Sequence, residues 1–278
     1  MKRRVTILII VAAVLAALLI WIFWANKALV TSVIEVRSET LPEEFEGFRI
    51  AQVSDLHNTE FGEGNAKLFS LLREAGPDII VVTGDLIDSR HTDVDAAVRF
   101  IEGACEIAPV YYVTGNHESR LDFDSIAPRL SEAGAVLLRN EAAYIERDGE
   151  RIMLAGIDDP AFVRTGGDAL ERAGQELAQL PEPEEFTVLL AHRPDLIATY
   201  TWYGPALVLS GHAHGGQVRL PLIGALYAPG QGFFPDYTAG LYEVGDTQMI
   251  VSRGLGNSLI PLRFNNRPEL VLAVLRGA

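Results

Sequence analysis

"LVLSGHAHGG", Leu207 to Gly216, is an apolar run that stops abruptly at two histidines one residue apart. Four other runs stop in the same way: "IAQVSDLH" (50–57), "IIVVTGD" (79–85), "VYYVTGNHE" (110–118) and "TVLLAH" (187–192). A short continuous apolar run bounded by turn-forming residues reads as a buried strand. Helical spacing separates several of these runs, in "NAKLFSLLREAG" (65–76), "DVDAAVRFIEGACEI" (93–107) and "GDALERAGQELAQL" (167–180). Strands alternating with helices predict an α/β architecture with largely parallel central strands. The tail, "GLYEVGDTQMIVSRG" followed by "ELVLAVLRG", has little helical pattern and is expected to close a second sheet. In such sheets the carboxyl ends of the strands share one edge, and ligands bind there. Five polar stops on one edge would converge.

Any one stop has an ordinary explanation, because Asp and Asn after a strand cap helices and form turns. The histidines argue for more. The chain has six, His57, His91, His117, His192, His212 and His214, and all but His91 fall at the stops. Carboxylate and imidazole together suit Zn, Mn or Fe, whereas a Ca site would be built from oxygens alone. Asp55 and His57 are two apart, as are His212 and His214, and in an extended strand or its continuation i and i+2 project to the same side. With Asp85, Asn116 and His192 they make seven candidate ligands. Seven exceed one tetrahedral zinc and fit two metals sharing a bridging carboxylate.

Composition limits the partners. The chain of 278 residues, 49% hydrophobic, is long enough for a buried core. Its formal charge is −14, and beyond Lys2, Arg3 and Arg4 the rest carries 20 basic against 37 acidic residues, a net −17. Such a surface repels long nucleic acid. Cys105 is the only cysteine, so the fold needs no oxidising compartment. A monomer is expected.

After "MKRR", Val5 to Trp24 is an apolar run whose only hydrogen-bonding side chains are Thr6 and the tryptophans Trp21 and Trp24. At about 1.5 Å per residue it spans a hydrocarbon core of about 30 Å, and the tryptophans sit at the far interface. A cleaved signal peptide is the competing reading, but its apolar region is shorter, about 7–15 residues. Residues 1–25 are therefore read as a cytoplasmic basic stub and transmembrane anchor. Residues 26–47 lead in, with one short strand and a turn at Leu41-Pro42, and 48–278 form the catalytic domain. The basic cluster predicts that the domain lies outside the cytoplasm, held to the cell membrane by a single pass.

The ordered series "SDLH", "GDLID", "GNHE", a lone "AH" and "GHAH" resembles the calcineurin-like metallophosphoesterase family over roughly Phe48 to Gly277. "GHAHGGQ" and "SRGLGN" resemble a membrane-attached bacterial subgroup, although Ala213 stands where Thr is usual. The resemblance implies a four-layer fold, two mixed β-sheets sandwiched between helices, here preceded by the transmembrane helix. It implies one metal on Asp55, His57 and His214, a second on Asn116, His192 and His212, and Asp85 bridging. It further implies His117 as proton donor to the leaving group and Asp88 as the carboxylate that orients it. Mn is the first expectation, with Fe or Zn as alternatives. The implied activity is hydrolysis of a phosphoester, phosphodiester or pyrophosphate bond by in-line attack of water. Arg120, Arg193 and Arg253 flank motif segments and are candidates to hold substrate phosphate. The anchor favours lipid-linked phosphates as substrate, with the apolar segment "LPLIGALYAPGQGFFP" (220–235) as a wall for acyl chains or a rim on the bilayer. The alternative is a metallophosphoesterase-fold scaffold that has lost catalysis, which the complete ligand set argues against.

Overall fold

The computed structural model describes residues 2–164, 167–257 and 262–278. Helix α1 (Lys2–Ala25) is followed by β1 (Val30–Ser38), β2 (Arg49–Val53), α2 (Ala66–Ala75), β3 (Ile79–Thr83), α3 (Val94–Cys105), β4 (Val110–Val113), α4 (Phe123–Glu132) and β5 (Val136–Leu137). Next come β6 (Glu141–Arg147), β7 (Glu150–Gly156), α5 (Ala169–Leu177), β8 (Thr187–Leu190), α6 (Ile197–Tyr203) and β9 (Leu207–Ser210). Two small hairpins follow, β10 (Arg219–Leu220) with β11 (Gly224–Ala225) and β12 (Tyr227–Ala228) with β13 (Gly232–Phe233). The chain ends in β14 (Gly240–Val244), β15 (Thr247–Val251) and β16 (Glu269–Gly277).

The strands form two six-stranded sheets, ordered β1-β16-β2-β3-β4-β5 and β14-β15-β9-β8-β7-β6. Ile50, Val81 and Val271 of the first sheet meet Val188, Leu190 and Leu209 of the second in a shared core. On its other face the first sheet packs Ile80, Val82 and Leu272 against Leu68 of α2, Phe100 of α3 and Leu130 of α4. The second packs Met153, Leu189 and Val208 against Ala173 of α5 and Ile197 of α6. The result is four layers, helix, sheet, sheet, helix. A strand such as "IIVVT", buried at every residue, needs cover on both faces, which this arrangement supplies.

Local chemistry explains the helices expected from the sequence. Asp93 caps α3 by accepting the Ala96 N–H at 2.9 Å. Gly76, in the left-handed region, closes α2 by donating to the Leu72 and Arg73 carbonyls. Helix α4 was not anticipated, because Pro128 lies inside it and breaks the helical pattern of the sequence.

Two expectations are corrected. Strand β16 joins the first sheet, between β1 and β2, rather than the second. Its apolar side chains serve both faces, Val271, Ala273 and Leu275 toward the second sheet and Leu270, Leu272 and Val274 toward the helices, so an interior place suits it. The strand ahead of the Leu41-Pro42 turn is nine residues long and pairs with β16 in parallel from Val30–Glu269 to Ser38–Gly277. A chain beginning near Val36 would therefore lose most of β1 and uncover one side of β16.

Helix α1 is long and apolar enough to cross a membrane, and its most apolar stretch is not buried against the rest of the chain, whereas its end is, at Ala25. Removing it leaves both sheets intact. A chain starting at Asn26 should be soluble and melt cooperatively, whereas one starting at Val36 should melt at least several degrees lower or aggregate, as expected when a core strand is lost. Circular dichroism melts of the two purified truncations check this.

Candidate metal centre

All five stops lie at the carboxyl ends of parallel strands. In the first sheet Val53 of β2 pairs with Val82, and Thr83 of β3 with Val113 of β4. In the second, Leu190 of β8 pairs with Leu209 of β9. The loops after these strands carry Asp55 and His57, Asp85 and Asp88, Asn116 and His117, His192, and His212 and His214, and all nine side chains are buried.

Close approach of the loops depends on small residues. A Cβ on Gly84 would sit 2.7 Å from the backbone of Gly115 and from His192 Nδ1, so only glycine lets the β3 loop lie against those of β4 and β8. The sheets are also joined under the site, where Gln52 Nε2 donates to Thr83 Oγ1 at 3.0 Å and to the Ser210 carbonyl at 2.9 Å.

Among the described residues the ligand-type side chains gather into three groups; two share Asp85, and the third joins His57, Asp88 and His117. Donor atoms of Asp55, His57, Asp85 and His214 lie within 4.8 Å of one another, as do those of Asp85, His192 and His212. Asp85 Oδ1 accepts the His117 backbone N–H at 2.8 Å, while Oδ2 lies 3.6 Å from His57 Nε2 and 3.4 Å from His192 Nε2. In the first group His57 Nε2 and His214 Nε2 are 3.3 Å apart, and His214 Nε2 is 3.4 Å from Asp55 Oδ1. In the second, His212 Nδ1 is 3.2 Å from His192 Nε2. Asn116 lines the same cavity, and its buried Oδ1 has no hydrogen-bond partner. These are converging lone pairs. Buried nitrogens facing one another beside carboxylates, with an orphaned amide oxygen, fit cations bridged by a carboxylate.

For His57, His212 and His214 the electrostatics agree with that donor set. Burial pushes His57 down to about 4 and holds His212 and His214 well below the usual imidazole range, so all three are neutral bases near pH 7. Burial also raises Asp55, to about 6, with the Asp85 charge adding to the effect and His192 opposing it. Burial would depress His192 as well, but the carboxylate of Asp85 outweighs it and pushes the imidazole up to about 10. His192 Nδ1 donates to the Thr83 carbonyl at 2.7 Å, which turns Nε2 toward Asp85.

The pairs at 55/57 and 212/214 converge for a reason other than strand pleating. Asp55, His57, Asp85, His212 and His214 all have φ between 47° and 64°, in the left-handed region. The expected extended continuation does not occur. The chain instead turns sharply at each of these residues and brings the next ligand back toward the same point.

His117 and Asp88 meet as expected from the sequence, with Asp88 Oδ1 3.6 Å from His117 Nδ1. That oxygen also accepts the Arg90 N–H at 2.7 Å. The Ser89 N–H lies 3.1 Å from His117 Nδ1 on the same side of the ring. Burial lowers the His117 pKa, opposed by Asp85 and Asp88. The cavity beside these groups, about 330 Å³, is lined by His117, Arg90, Arg120 and Arg193 and also by Pro229 and Gly230. Of the three candidate arginines, Arg253 is not among these lining residues. It pairs with Glu269 at 2.8 Å, and its N–H donates to the same carboxylate. Arg193 reaches the cavity while held by Asp159 through two bonds, of 2.7 and 2.9 Å.

Sequence reasoning missed three supporting groups. Glu118, fully buried, accepts the N–H groups of Asp85 (2.9 Å), Ile87 (3.0 Å) and Gly115 (2.8 Å), which clamps the β3 and β4 loops together. Burial raises it to about 7. Its signal was the last letter of "GNHE". Asp158 and Asp159 end "RIMLAGIDD", a sixth polar stop on the same sheet edge; Asp158 accepts Thr114 Oγ1 at 2.8 Å. Arg263, also fully buried, donates to the Arg253 carbonyl at 2.7 Å and to Asn257 Oδ1 at 3.0 Å. It thereby holds the loop whose Leu255 N–H bonds the Ser54 carbonyl behind Asp55.

With this geometry in place, the comparisons with known proteins are specific. The sequence profile of calcineurin-like phosphoesterases matches residues 48–216. The chain is 33% identical over 251 residues to the metallophosphoesterase YkuE of Bacillus subtilis, covering 87% of this chain and 84% of the relative. It is 31% identical over 237 residues to the phosphodiesterase YaeI of Escherichia coli, covering 82% of each. It is also 32% identical to a zebrafish transmembrane protein with a metallophosphoesterase domain, covering 88% of this chain but only 57% of that longer protein. Profile, relatives and the order of the strand-end residues agree: the chain belongs to the calcineurin-like phosphoesterase family.

Proposed function

We propose that this chain is a membrane-anchored hydrolase of phosphoester bonds that works with two divalent cations held by Asp55, His57 and His214 and by Asn116, His192 and His212, with Asp85 between them. The observation that carries the reading is the position of Asp85 Oδ2, within reach of an imidazole from each group. Bound there, divalent cations would supply Lewis acidity and acidify a water for in-line attack on phosphorus. Imidazole, carboxylate and amide donors suit Mn first, with Fe or Zn as alternatives.

The chain's own residues do the rest. The His117 N–H and the Glu118 clamp fix the Asp85 carboxylate, so its orientation costs nothing at the moment of reaction. Arg120 and Arg193 present positive charge where the substrate's phosphate enters, and Asp159 keeps Arg193 from swinging away. As the imidazolium, with the Asp88 carboxylate facing Nδ1, His117 would give its Nε2 proton to the departing oxygen and be left as the neutral ring. The similarity to a protein named a phosphodiesterase supports a diester or pyrophosphate bond, and the apolar N-terminal helix supports a substrate carried on a lipid.

Three outcomes test this. Elemental analysis of active protein should find two metals per chain; chelation should abolish hydrolysis, Mn should restore it, and Asp85→Asn should slow it by more than about 100-fold, beyond the loss usual for a group that only supports a ligand. One metal per chain with Asp85→Asn near full rate would rule out the shared carboxylate.

His117→Ala should keep both metals and slow an alkyl or sugar ester by about 10²–10⁴-fold while slowing a nitrophenyl ester far less, because that leaving group needs no proton. Equal losses in kcat/KM on the two esters would assign His117 to stabilising the phosphoryl group instead.

The basic residues Lys2, Arg3 and Arg4 at the start of α1 support a domain outside the cytoplasm. Protease added to right-side-out membrane vesicles should digest it, and full protection would reverse the orientation.

A further inference from the structure

Four large apolar side chains on the two small hairpins have no cover. Leu222, Ile223, Phe233 and Phe234 are 108%, 58%, 77% and 68% exposed. Leu222 and Phe234 also hold φ values of 68° and 55°, a region that bulky residues rarely occupy, so the backbone takes on strain where these side chains stand outward.

The position of this apolar face follows from strand register. Val271 of β16 pairs with Gln52 and Val274 with Arg49, so β16 begins at the carboxyl end of β2, and Val30 of β1 begins beside it at Glu269. The end of α1 therefore enters the domain at the edge that carries the candidate metal centre. It is fastened there. Asn26 exchanges hydrogen bonds with the Arg263 backbone at 2.8 and 3.0 Å, and Arg267 stacks on Trp24 while donating to the Ala28 and Leu29 carbonyls. Phe264 links this joint to the hairpins. Its ring meets Trp21 edge-on at 5.4 Å, and its carbonyl accepts the Arg219 N–H at the start of β10.

We propose that these hairpins insert into the interface of the bilayer that α1 spans, so that the catalytic cavity opens at the level of the lipid headgroups. The inference rests on reading α1 as a spanning anchor. Pro229 and Gly230, which line the cavity, lie between β12 and β13, so the hairpin that carries Phe233 also forms part of the cavity wall. A strongly acidic chain is repelled by anionic lipid, and insertion of apolar side chains about 5–10 Å deep is the mode of attachment this face allows. A phosphate held on a lipid would then reach the centre without leaving the membrane.

The full chain, reconstituted in phosphatidylcholine vesicles containing a phosphatidylcholine with a photoreactive group near its glycerol, tests the idea. Peptide mapping after illumination should find lipid adducts in α1 and within residues 220–235, and none at the Gly245–Asp246 turn, which register puts at the opposite end of the second sheet. Ile223→Ser with Phe233→Ser should lose the hairpin adducts and keep those in α1. Adducts in α1 alone would overturn the docking while leaving the anchor; adducts in neither would overturn both. Equal labelling at 245–246, or links between the hairpins of two copies in place of lipid, would also overturn it. Hydrolysis of a water-soluble diester in the same vesicles reports on the chemistry separately, so failure of docking and failure of the phosphoesterase reading are told apart.

Discussion

Asp85 is the residue on which the site turns. One carboxylate oxygen is fixed by the N–H of His117, and the other stands within 3.6 Å of an imidazole from each half of the molecule. An ionised carboxylate in so buried a place is stable only where positive charge and donors surround it. Burial would push its pKa up, but His192, with His57 and His117, holds it well below the ordinary range. The two sheets meet at this point. Asp85 and His57 come from loops of the first sheet and His192 from the second, so a small shift between the sheets would change the Asp85–His192 distance and leave the Asp85–His57 distance as it is.

Holding these groups in place costs conformational energy. Five of the seven candidate ligands sit in left-handed backbone, at about 1–2 kcal/mol each relative to ordinary conformations. The cost is offset by hydrogen bonds that the strained loops receive. Glu118 takes three N–H groups from the loops after β3 and β4, Asp55 accepts the His212 N–H, and the loop behind Asp55 is fixed by Arg263. The strained loops are thus also heavily bonded, which keeps the donor atoms aimed before any cation or substrate arrives.

The sequence made the strands legible because full burial on both faces forces continuous apolar runs such as "IIVVT" and "LVLS", and made the site legible because polar stops interrupt those runs at one edge. It also gave the four layers only with the family resemblance, since periodicity cannot say which sheet a strand joins. Strand β16 shows the limit: "ELVLAVLRG" reads as a buried strand, but its partners β1 and β2 are set by tertiary packing. The i, i+2 argument predicted convergence at 55/57 and 212/214 by the wrong geometry, because a left-handed turn leaves no periodic trace at a non-glycine residue. Glu118, Asp159 and Arg263 were hidden for a related reason. A buried charge that supports a loop looks, in sequence, like any surface charge, and only its partners identify it.

The parallel pairing of β1 with β16 bears on how the chain is made. Strand β16 lies between β1 and β2, so β1 has no neighbour in its sheet until residues 269–277 have been synthesised. Contacts this distant along the chain form late and slowly. Until then β2 presents an unpaired edge. Closure of the first sheet is therefore a late event of folding.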